Sequence, residues 1–228
     1  MKKAQAVIFD LDGTIVDTEG QAADVIENTL AEWGIALDPA MRGLVSGRTW
    51  EVGFDLMFEK FAIPVKRAEA EHIMLERYRE AIAKELKVIP GVIDAIRSIA
   101  SEFPLGLVSG SHRREILFAL DQIGVRSLFQ VIYGAEDYLR SKPAPDGYLQ
   151  AIASLGIEPK RGLVFEDSAA GIAAGRAAGL NVVAVTYSNP FGESLAAADS
   201  QIPDFRGVDA AWGGRTLPEL SRRRPGAS

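Results

Sequence analysis

The sequence predicts an α/β protein built on a doubly wound parallel sheet, with a helical segment inserted after the first strand. Several short apolar runs are bounded by turn residues, which is typical of strands buried on both faces of a parallel sheet. These runs occupy residues 6–9, 105–108, 131–133, 163–165 and 182–185. Between the later runs the apolar spacing is helical, over about 91–101, 113–123, 145–155 and 168–178. Alternating strands and helices of this kind indicate a doubly wound sheet.

The segment after the first strand is different, because it contains helical patterns and no convincing strand. The helical patterns cover residues 21–33, 50–61 and 66–86. A stretch of about seventy residues is too long for an ordinary crossover between two strands. We therefore predict a discontinuous α/β core, formed by residues 1–15 and 88–228, and a small helical domain formed by residues 16–87.

The composition argues against several classes of function. The chain has 228 residues, of which 31 are acidic and 25 are basic, so its formal net charge is −6. A nucleic-acid-binding protein usually carries a basic field instead. The sequence contains no cysteine, which excludes disulfides, thiolate zinc sites and a cysteine nucleophile. The two histidines, His72 and His112, are too few for a histidine-based metal cage.

No segment predicts export or membrane insertion. The basic start reaches Asp10 after an apolar run that is too short for the core of a signal peptide. No stretch of the sequence approaches the roughly 18 uncharged apolar residues that a membrane span requires. We expect a soluble, cytoplasmic protein that binds neither nucleic acid nor membrane. The arginines at 222–224 fit either a patch that binds phosphate or nucleic acid, or a solvated terminus.

Polar residues follow four of the predicted strands, at the sheet edge where open α/β proteins bind ligands. The first set is Asp10, Asp12, Gly13 and Thr14. Two carboxylates two residues apart in an extended chain project to the same side. Like charges this close are costly unless a divalent cation or acid–base chemistry uses them. The alternative, an acidic turn that caps the next helix, applies better to Asp17.

The second and third sets hold candidate anion-binding groups. Ser109, Gly110, Ser111 and His112 lie where the second strand ends and a helix begins, so that hydroxyls and free backbone N–H groups can bind an anion. The alternative is that the serine only caps the helix. Lys142 precedes a proline, which holds it extended and able to reach a phosphate. The alternative is a surface lysine in a proline-rich turn.

The fourth set is Glu166, Asp167 and Ser168, again directly after an apolar strand. A second acidic pair at a neighbouring strand end can complete an all-oxygen Mg²⁺ site with Asp10. The alternative is that Asp167 or Ser168 simply caps the following helix. Small residues at helical spacing over 171–179 predict close packing of that helix against the sheet.

These four sets, in this order, resemble the motifs of the haloacid dehalogenase-like (HAD) superfamily of phosphotransferases. Residues 7–19 are similar to the first motif, Ser109 matches the second, Lys142 the third and residues 166–168 the fourth. The helical insert is similar to the small cap domain of the β-phosphoglucomutase and phosphoglycolate phosphatase branch. The resemblance spans most of residues 6–188, and it implies a Rossmann-like doubly wound core with an inserted helical cap domain.

Carried over to the matching positions, the resemblance implies catalysis through an aspartyl-phosphate. The implied catalytic residues are Asp10 as nucleophile, Asp12 as general acid and base, and Lys142 as a phosphate-binding cation. The implied ligands of Mg²⁺ are Asp10, Asp12 through its backbone carbonyl, Glu166 and Asp167. The implied phosphate-binding groups are Lys142, Ser109 with the neighbouring Gly110, and the backbone N–H groups of Leu11 and Asp12.

A few positions distinguish between members of the branch. Asp12 argues against a dehalogenase or a phosphonate-cleaving enzyme, both of which typically lack an aspartate there. A β-phosphoglucomutase typically has an arginine where this chain has Trp50, a histidine where it has Ala22 and a lysine where it has His112. Arg48 can take the place of the missing arginine with a small shift. We therefore expect a phosphatase rather than a mutase.

The function predicted from the sequence is Mg²⁺-dependent hydrolysis of a small phosphorylated metabolite, of the sugar phosphate or phosphoglycolate type, by a monomer or weak homodimer. Two alternatives stay open: a β-phosphoglucomutase-type phosphosugar mutase, and a non-catalytic binding protein on the same fold. Arg48, Trp50 and His112 are the residues expected to contact the substrate, although Trp50 fits the apolar core of the cap equally well.

Overall fold

Two units, each with an apolar core of its own, make up the chain. One is formed by Met1–Val16 with Val88–Ser228, and the other by Asp17–Lys87. The structure, a computed structural model, describes residues 4–37, 50–189 and 194–213. Within those ranges no helix is both long enough and apolar enough to cross a membrane.

The larger unit is built on a six-stranded sheet in which every neighbouring pair of strands is parallel. Its strands are β1 (Ala6–Phe9), β2 (Leu105–Val108), β3 (Phe129–Tyr133), β4 (Gly162–Glu166), β5 (Asn181–Val185) and β6 (Ser200–Ile202). Their order in the sheet is β3-β2-β1-β4-β5-β6. Because β1 lies between β2 and β4, the carboxyl ends of these three strands are neighbours. The predicted α/β fold on a doubly wound parallel sheet is confirmed.

Helices account for most of the remaining chain that the structure describes. The helical unit contains α1 (Thr18–Glu32), α2 (Trp50–Lys60) and α3 (Arg67–Lys84). The larger unit contains α4 (Val92–Ala100), α5 (Arg113–Gln122), α6 (Asp146–Leu155), α7 (Ala169–Ala177) and the short α8 (Ala210–Gly213). Every helix predicted from the apolar spacing is present, with ends that differ by at most three residues.

The sequence did not predict β6. This strand has three residues and pairs with β5 at the edge of the described sheet. Gln201 at its centre is exposed, and its two neighbours are half-buried. An edge strand of this kind needs no continuous apolar run, which is the signal that identified the other five strands. For the same reason β3, at the opposite edge, begins two residues earlier than predicted.

Alternate residues of the central strands cover the two faces of the sheet. On one face Val164 packs in a cluster with Tyr148 of α6 and Ile172 of α7. The next residue along β4, Phe165, stacks on Phe9 with the ring centroids 5.1 Å apart. Burying each such side chain stabilises the fold by about 1.5–3 kcal/mol. The central strands are therefore firmly held, and the residues that follow them start from fixed positions.

The helical unit has a separate apolar core, to which the three helices described above contribute. The buried members of this core are Ile26 and Leu30 of α1, Phe54 and Met57 of α2, and Met74 of α3. Asp17 caps the start of α1, because its carboxylate accepts a hydrogen bond from the N–H of Gly20 over 3.0 Å. The helix-capping role predicted for Asp17 is therefore confirmed. His72, on α3, is exposed to solvent.

Candidate active site

The carboxyl ends of β1, β2 and β4 bring the predicted polar residues together at one edge of the sheet. Asp10 follows β1, Ser109 follows β2, and Glu166 ends β4; all three are buried. The backbone pairing continues past the strands, since Asp10 N–H donates to the carbonyl of Phe165 and Ser109 N–H donates to that of Tyr133, each over 3.0 Å. The sheet therefore fixes the backbone positions from which these side chains project.

Lys142 lies between two of the buried carboxylates. Its Nζ is 2.5 Å from Oδ1 of Asp10 and 2.5 Å from Oε1 of Glu166. The same atom donates to the carbonyl of Val108 over 3.3 Å and lies 5.2 Å from the centre of the Tyr148 ring, a cation–π contact. With its side chain only 14% exposed, Lys142 is a buried lysine at the site rather than a surface lysine.

Burial and crowded charge shift the pKa values of this cluster. Desolvation is the main cause that raises the pKa of Asp10 to about 8; Lys142 lowers it, while the charges of Glu166 and Asp12 raise it. Burial lowers the pKa of Lys142, but the charges of Asp10 and Glu166 raise it more, so that its pKa lies well above the ordinary value. The ammonium therefore stays charged. Several carboxylates share this one cation, and a bound metal ion would relieve their mutual repulsion.

Glu166 is fully buried and held by five hydrogen-bond donors. Besides Lys142, these are the Tyr148 hydroxyl at 2.8 Å, the N–H groups of Asp167 at 3.0 Å and Ser168 at 3.2 Å, and the Ser168 hydroxyl at 3.1 Å. Burial raises the pKa of Glu166, but Lys142 and the hydrogen bonds together lower it below its ordinary value. Glu166 therefore stays ionised and fixes the ammonium of Lys142.

The turn after β1 approaches a further carboxylate of the site, that of Asp167. The carbonyl of Leu11 accepts from the N–H of Ile15 over 2.8 Å, which closes the turn. Gly13 has a φ of +78°, and a Cβ at this position would fall 1.9 Å from Oδ2 of Asp167. The hydroxyl of Thr14 lies 3.4 Å from Oδ1 of the same residue. Glycine at position 13 therefore permits both the left-handed turn and the close approach of Asp167.

Asp10, Glu166 and Asp167 form an acidic group that fits a divalent cation. One carboxylate oxygen from each lies within 4.8 Å of the others. A partly buried set of oxygen donors is the environment in which Mg²⁺ binds. Because five donors already hold Glu166, Asp10 and Asp167 are the better placed of the three to ligate a metal directly.

Helix capping explains only part of the fourth set of residues. The hydroxyl of Ser168 caps α7 by accepting from the N–H of Gly171 over 3.0 Å, but capping does not account for the buried Glu166. The predicted close packing of 171–179 against the sheet is confirmed. A Cβ at Gly171 would fall 1.7 Å from Oε1 of Glu166, and one at Gly175 would fall 3.0 Å from valine side chains of β4 and β5.

Two serine hydroxyls link Asp12 to the end of β2. Oδ2 of Asp12 lies 3.2 Å from Oγ of Ser109 and 2.6 Å from Oγ of Ser111. The N–H of Ser111 donates to Oγ of Ser109 over 2.9 Å. The Tyr138 hydroxyl donates to the carbonyl of Ser109 over 2.7 Å, which anchors this strand end from the loop after β3. The first and second sets of predicted residues are therefore in direct contact.

The remaining predicted contacts involve exposed residues or residues outside those that the structure describes. His112 is at the N-terminal cap position of α5, where its side chain is 73% exposed and its Nδ1 lies 3.5 Å from Glu136. Gly110 faces open space, since a Cβ there would meet nothing within 4 Å. Arg48 lies outside the described residues, and so does the side chain of Trp50, the residue at which α2 begins.

The contacts of Tyr148 and Gly171 with Glu166 were not predicted from the sequence. Tyr148 and Gly171 reach Glu166 only because α6 and α7 pack on the sheet beside it, and no local pattern reveals that arrangement. Ser111 belongs to the second predicted set, and it stands two residues after Ser109. That spacing places two side chains on the same side of an extended chain.

Comparison with known proteins identifies the family. A model of the haloacid dehalogenase-like hydrolases matches residues 7–185. Protein CbbY of Rhodobacter capsulatus is 31% identical over 227 residues, which cover 95% of this chain and 98% of that protein. Fructose-1-phosphate phosphatase YqaB of Escherichia coli is 30% identical over 185 residues, which cover 78% of this chain and 95% of that protein. A HAD family hydrolase from Deinococcus radiodurans, crystallised with phosphate and sodium, has a TM-score of 0.78 and 29% identity, with 92% of this chain and 95% of that one covered.

The chain therefore belongs to the haloacid dehalogenase-like hydrolase family, as the resemblance of its motifs predicted. Its relatives include named phosphatases that act on small phosphorylated compounds. Within the family it is an enzyme of the phosphoric monoester hydrolase class.

Proposed function

We propose that this enzyme is a Mg²⁺-dependent phosphatase that hydrolyses a small phosphorylated metabolite through an aspartyl-phosphate on Asp10. The observation that carries the proposal is the pairing of Asp10 with Lys142 at 2.5 Å, beside the buried Glu166 and the nearby Asp167. A carboxylate that lies beside a fixed ammonium and an acidic metal-binding group suits nucleophilic attack on a phosphoryl group.

In the first half of the reaction, a carboxylate oxygen of Asp10 attacks phosphorus in line with the ester oxygen. The new O–P bond forms on Asp10 as the bond to the ester oxygen breaks. Asp12 gives its proton to the departing oxygen, so that the product leaves as an alcohol. Asp12 stands two residues after the nucleophile, and its charge raises the pKa of Asp10, so the two carboxyl groups are near each other. This nearness supports the division of roles.

In the second half, water attacks the phosphorus of the aspartyl-phosphate. Asp12, now ionised, takes a proton from that water, and the bond between phosphorus and the Asp10 oxygen breaks. Inorganic phosphate leaves, and both aspartates return to their starting states. One residue thus serves as acid and then as base, which explains why the site contains no histidine among its described residues.

The groups around the nucleophile would hold the other phosphoryl oxygens. We assign this role to the ammonium of Lys142, the hydroxyl of Ser109, and the backbone N–H groups of Leu11 and Asp12. Lys142 and Ser109 are already held in place by Glu166 and by the β3 loop. Donors that are fixed in advance need not reorganise as charge develops, and this is the main source of catalysis in such sites.

Mg²⁺ would be held by the carboxylates of Asp10 and Asp167 and the backbone carbonyl of Asp12, with Glu166 at the edge of the group. When bound, it supplies positive charge that keeps Asp10 ionised and neutralises the transferring phosphoryl group. The carboxylate oxygens of Asp10, Glu166 and Asp167, which lie within 4.8 Å of one another, support this part of the proposal.

We assign substrate selection to the helical unit Asp17–Lys87, acting as a cap domain. Its insertion directly after the first motif and its separate apolar core support this role. A sugar phosphate or phosphoglycolate is the substrate class that the names of the relatives favour. A cytoplasmic location and a monomeric or weakly dimeric state belong to the same proposal; cell fractionation and light scattering test them.

The test is phosphate release from a panel of phosphorylated metabolites, in Mg²⁺ and in EDTA, with Asp10→Asn as the control variant. The panel includes fructose 1-phosphate, phosphoglycolate and β-glucose 1-phosphate, and glucose 6-phosphate is followed separately. We expect Mg²⁺-dependent phosphate release that the variant lacks while its circular dichroism spectrum is unchanged. Glucose 6-phosphate formed without free phosphate would show a mutase instead. Full activity in pure Asp10→Asn would overturn the nucleophile assignment.

A further inference from the structure

We propose that Ser111 is a positioning residue that holds Asp12 for proton transfer, a role that rests on the phosphatase function proposed above. Oγ of Ser111 lies 2.6 Å from Oδ2 of Asp12, whereas Oγ of Ser109 lies 3.2 Å from the same oxygen. A distance of about 2.6 Å lies at the short end of the range for a hydrogen bond between a hydroxyl and an oxygen. Of the two serines, Ser111 therefore makes the stronger contact with the carboxylate.

Ser111 is itself fixed through its backbone. Its N–H donates to Oγ of Ser109 over 2.9 Å, and its carbonyl accepts from the N–H of Ala135 over 3.0 Å. A Cβ at Gly134 would fall 2.9 Å from that carbonyl oxygen, so the two backbone segments are in direct contact. Because both the N–H and the carbonyl of Ser111 are hydrogen-bonded, the backbone of this residue is fixed. Its hydroxyl therefore reaches Asp12 from a fixed position.

The loop after β3 anchors the residues on both sides of Ser111. The Tyr138 hydroxyl donates to the carbonyl of Ser109 over 2.7 Å. The carboxylate of Glu136 accepts from the N–H of Arg113 at 3.0 and 3.2 Å. This loop continues to Lys142, so one segment of chain helps to fix both a phosphate-binding cation and the support of Asp12.

Asp12 needs such a support because of the two tasks assigned to it. Asp12 must stay near the ester oxygen while it gives up a proton, and near water while it takes one. Once ionised, however, its carboxylate is repelled by a phosphoryl dianion. A neutral hydroxyl can restrain the carboxylate without introducing a charge that would compete for the phosphate. A lysine or arginine at position 111 could not do both.

The experiment compares two esters of similar size whose leaving groups differ, phenyl phosphate and p-nitrophenyl phosphate. Phenoxide is the poorer leaving group and depends more on protonation by Asp12. Because both esters form the same aspartyl-phosphate, the quantity compared is kcat/KM, which reports the first half of the reaction. We expect Ser111→Ala to lower kcat/KM roughly tenfold for phenyl phosphate and less than about threefold for p-nitrophenyl phosphate. Ser111→Thr keeps the hydroxyl and restores the wild-type ratio. A merely structural role would lower both rates equally.

A double-mutant cycle with Asp12→Asn checks that Ser111 acts through Asp12. In the Asp12→Asn background, Ser111→Ala is expected to have almost no further effect on either ester. If the two substitutions lower the rate additively, or if Ser111→Ala slows both esters equally while the wild-type enzyme is active, the role proposed for Ser111 is wrong. The proposed phosphatase function would be unaffected by either result. A wild-type enzyme that releases phosphate from neither ester nor from the metabolite panel would overturn the proposed function and, with it, this inference.

Discussion

Gly171 of α7 makes room for the carboxylate of Glu166, because a Cβ at position 171 would fall 1.7 Å from Oε1 of that residue. The same oxygen accepts from Lys142 and from Tyr148. A helix interior ordinarily favours alanine over glycine by about 1 kcal/mol. Glycine at this position therefore serves the buried ion pair rather than the helix.

Gly171→Ala is expected to inactivate the enzyme by displacing Glu166. Misplacing the ammonium of Lys142 by about 1 Å would lower kcat on the order of a hundredfold. Removing one partner of a buried ion pair costs about 3–5 kcal/mol, and displacing Glu166 loses part of that stabilisation, so the free energy of unfolding falls despite the gain in helix propensity. Phosphate release and urea unfolding measure the two effects.

Gly175→Ala is the matched control, one turn further along α7. Its Cβ would meet only valine side chains, at 3.0 Å, so kcat should stay within about twofold of wild type, as expected of a site that touches no catalytic group. Equal activity in the two variants would show that Glu166 tolerates displacement and that Gly171 is not required by the site.

Tyr148→Phe is expected to destabilise the protein without abolishing activity. The substitution removes one hydrogen bond to the buried Glu166, at a cost of about 1–2 kcal/mol, but it keeps the ring beside Lys142. The control is Tyr133→Phe, whose hydroxyl bonds Ser154 near solvent over 2.7 Å; its effect should stay below about 0.5 kcal/mol. Urea unfolding of both variants measures the two free energies of unfolding. Equal losses of stability would show that the buried hydrogen bond of Tyr148 contributes no more than the exposed one of Tyr133.

The sequence predicts the central strands well because they are buried on both faces. β1, β2, β4 and β5 read as continuous apolar runs, and their predicted ends differ from the structure by at most one residue. β6 escaped prediction because an edge strand is exposed to water and mixes polar with apolar residues. Its place in the sheet is decided by pairing with β5, which no local pattern encodes.

The candidate site was predictable to the extent that it follows from strand ends. Asp10, Glu166 and Asp167 come together because parallel strands end at one edge, and Lys142 was found by its type and position. The partners of Glu166 could not be predicted, since they depend on how α6 and α7 pack. Glu166 was predicted to be a metal ligand, but the number of hydrogen-bond donors that hold it was not predicted. The part of Glu166 in metal binding stays a prediction.

Leu30→Ala is expected to destabilise the helical unit by about 2–5 kcal/mol, because Leu30 is fully buried in its small core. Leu139→Ala removes the same atoms from a side chain that is 93% exposed, and its effect should stay within about 0.5 kcal/mol. Thermal unfolding measures both. If both variants have the same melting temperature as the wild type, the apolar core of the helical unit contributes little to the stability of that unit.

Asp167→Asn is expected to weaken Mg²⁺ binding while leaving the metal-free protein at least as stable. Asp167 lies in the acidic group with Asp10 and Glu166, where like charges repel one another when no metal ion is bound. In EDTA the variant should therefore melt at the same temperature as the wild type or above it. Mg²⁺ at about 100 times its Kd would stabilise the wild type by about 2.7 kcal/mol, and the variant should need a higher concentration for the same effect.

The control for this titration is Asp121→Asn, an exposed aspartate paired with Arg126. It should leave the Mg²⁺ dependence of both melting temperature and phosphate release unchanged, because a surface ion pair contributes about 1 kcal/mol or less. A wild type whose melting temperature does not respond to Mg²⁺ would argue against a metal at this edge of the sheet. An identical Mg²⁺ dependence in Asp167→Asn would instead place the metal on the other carboxylates, Asp10 first among them.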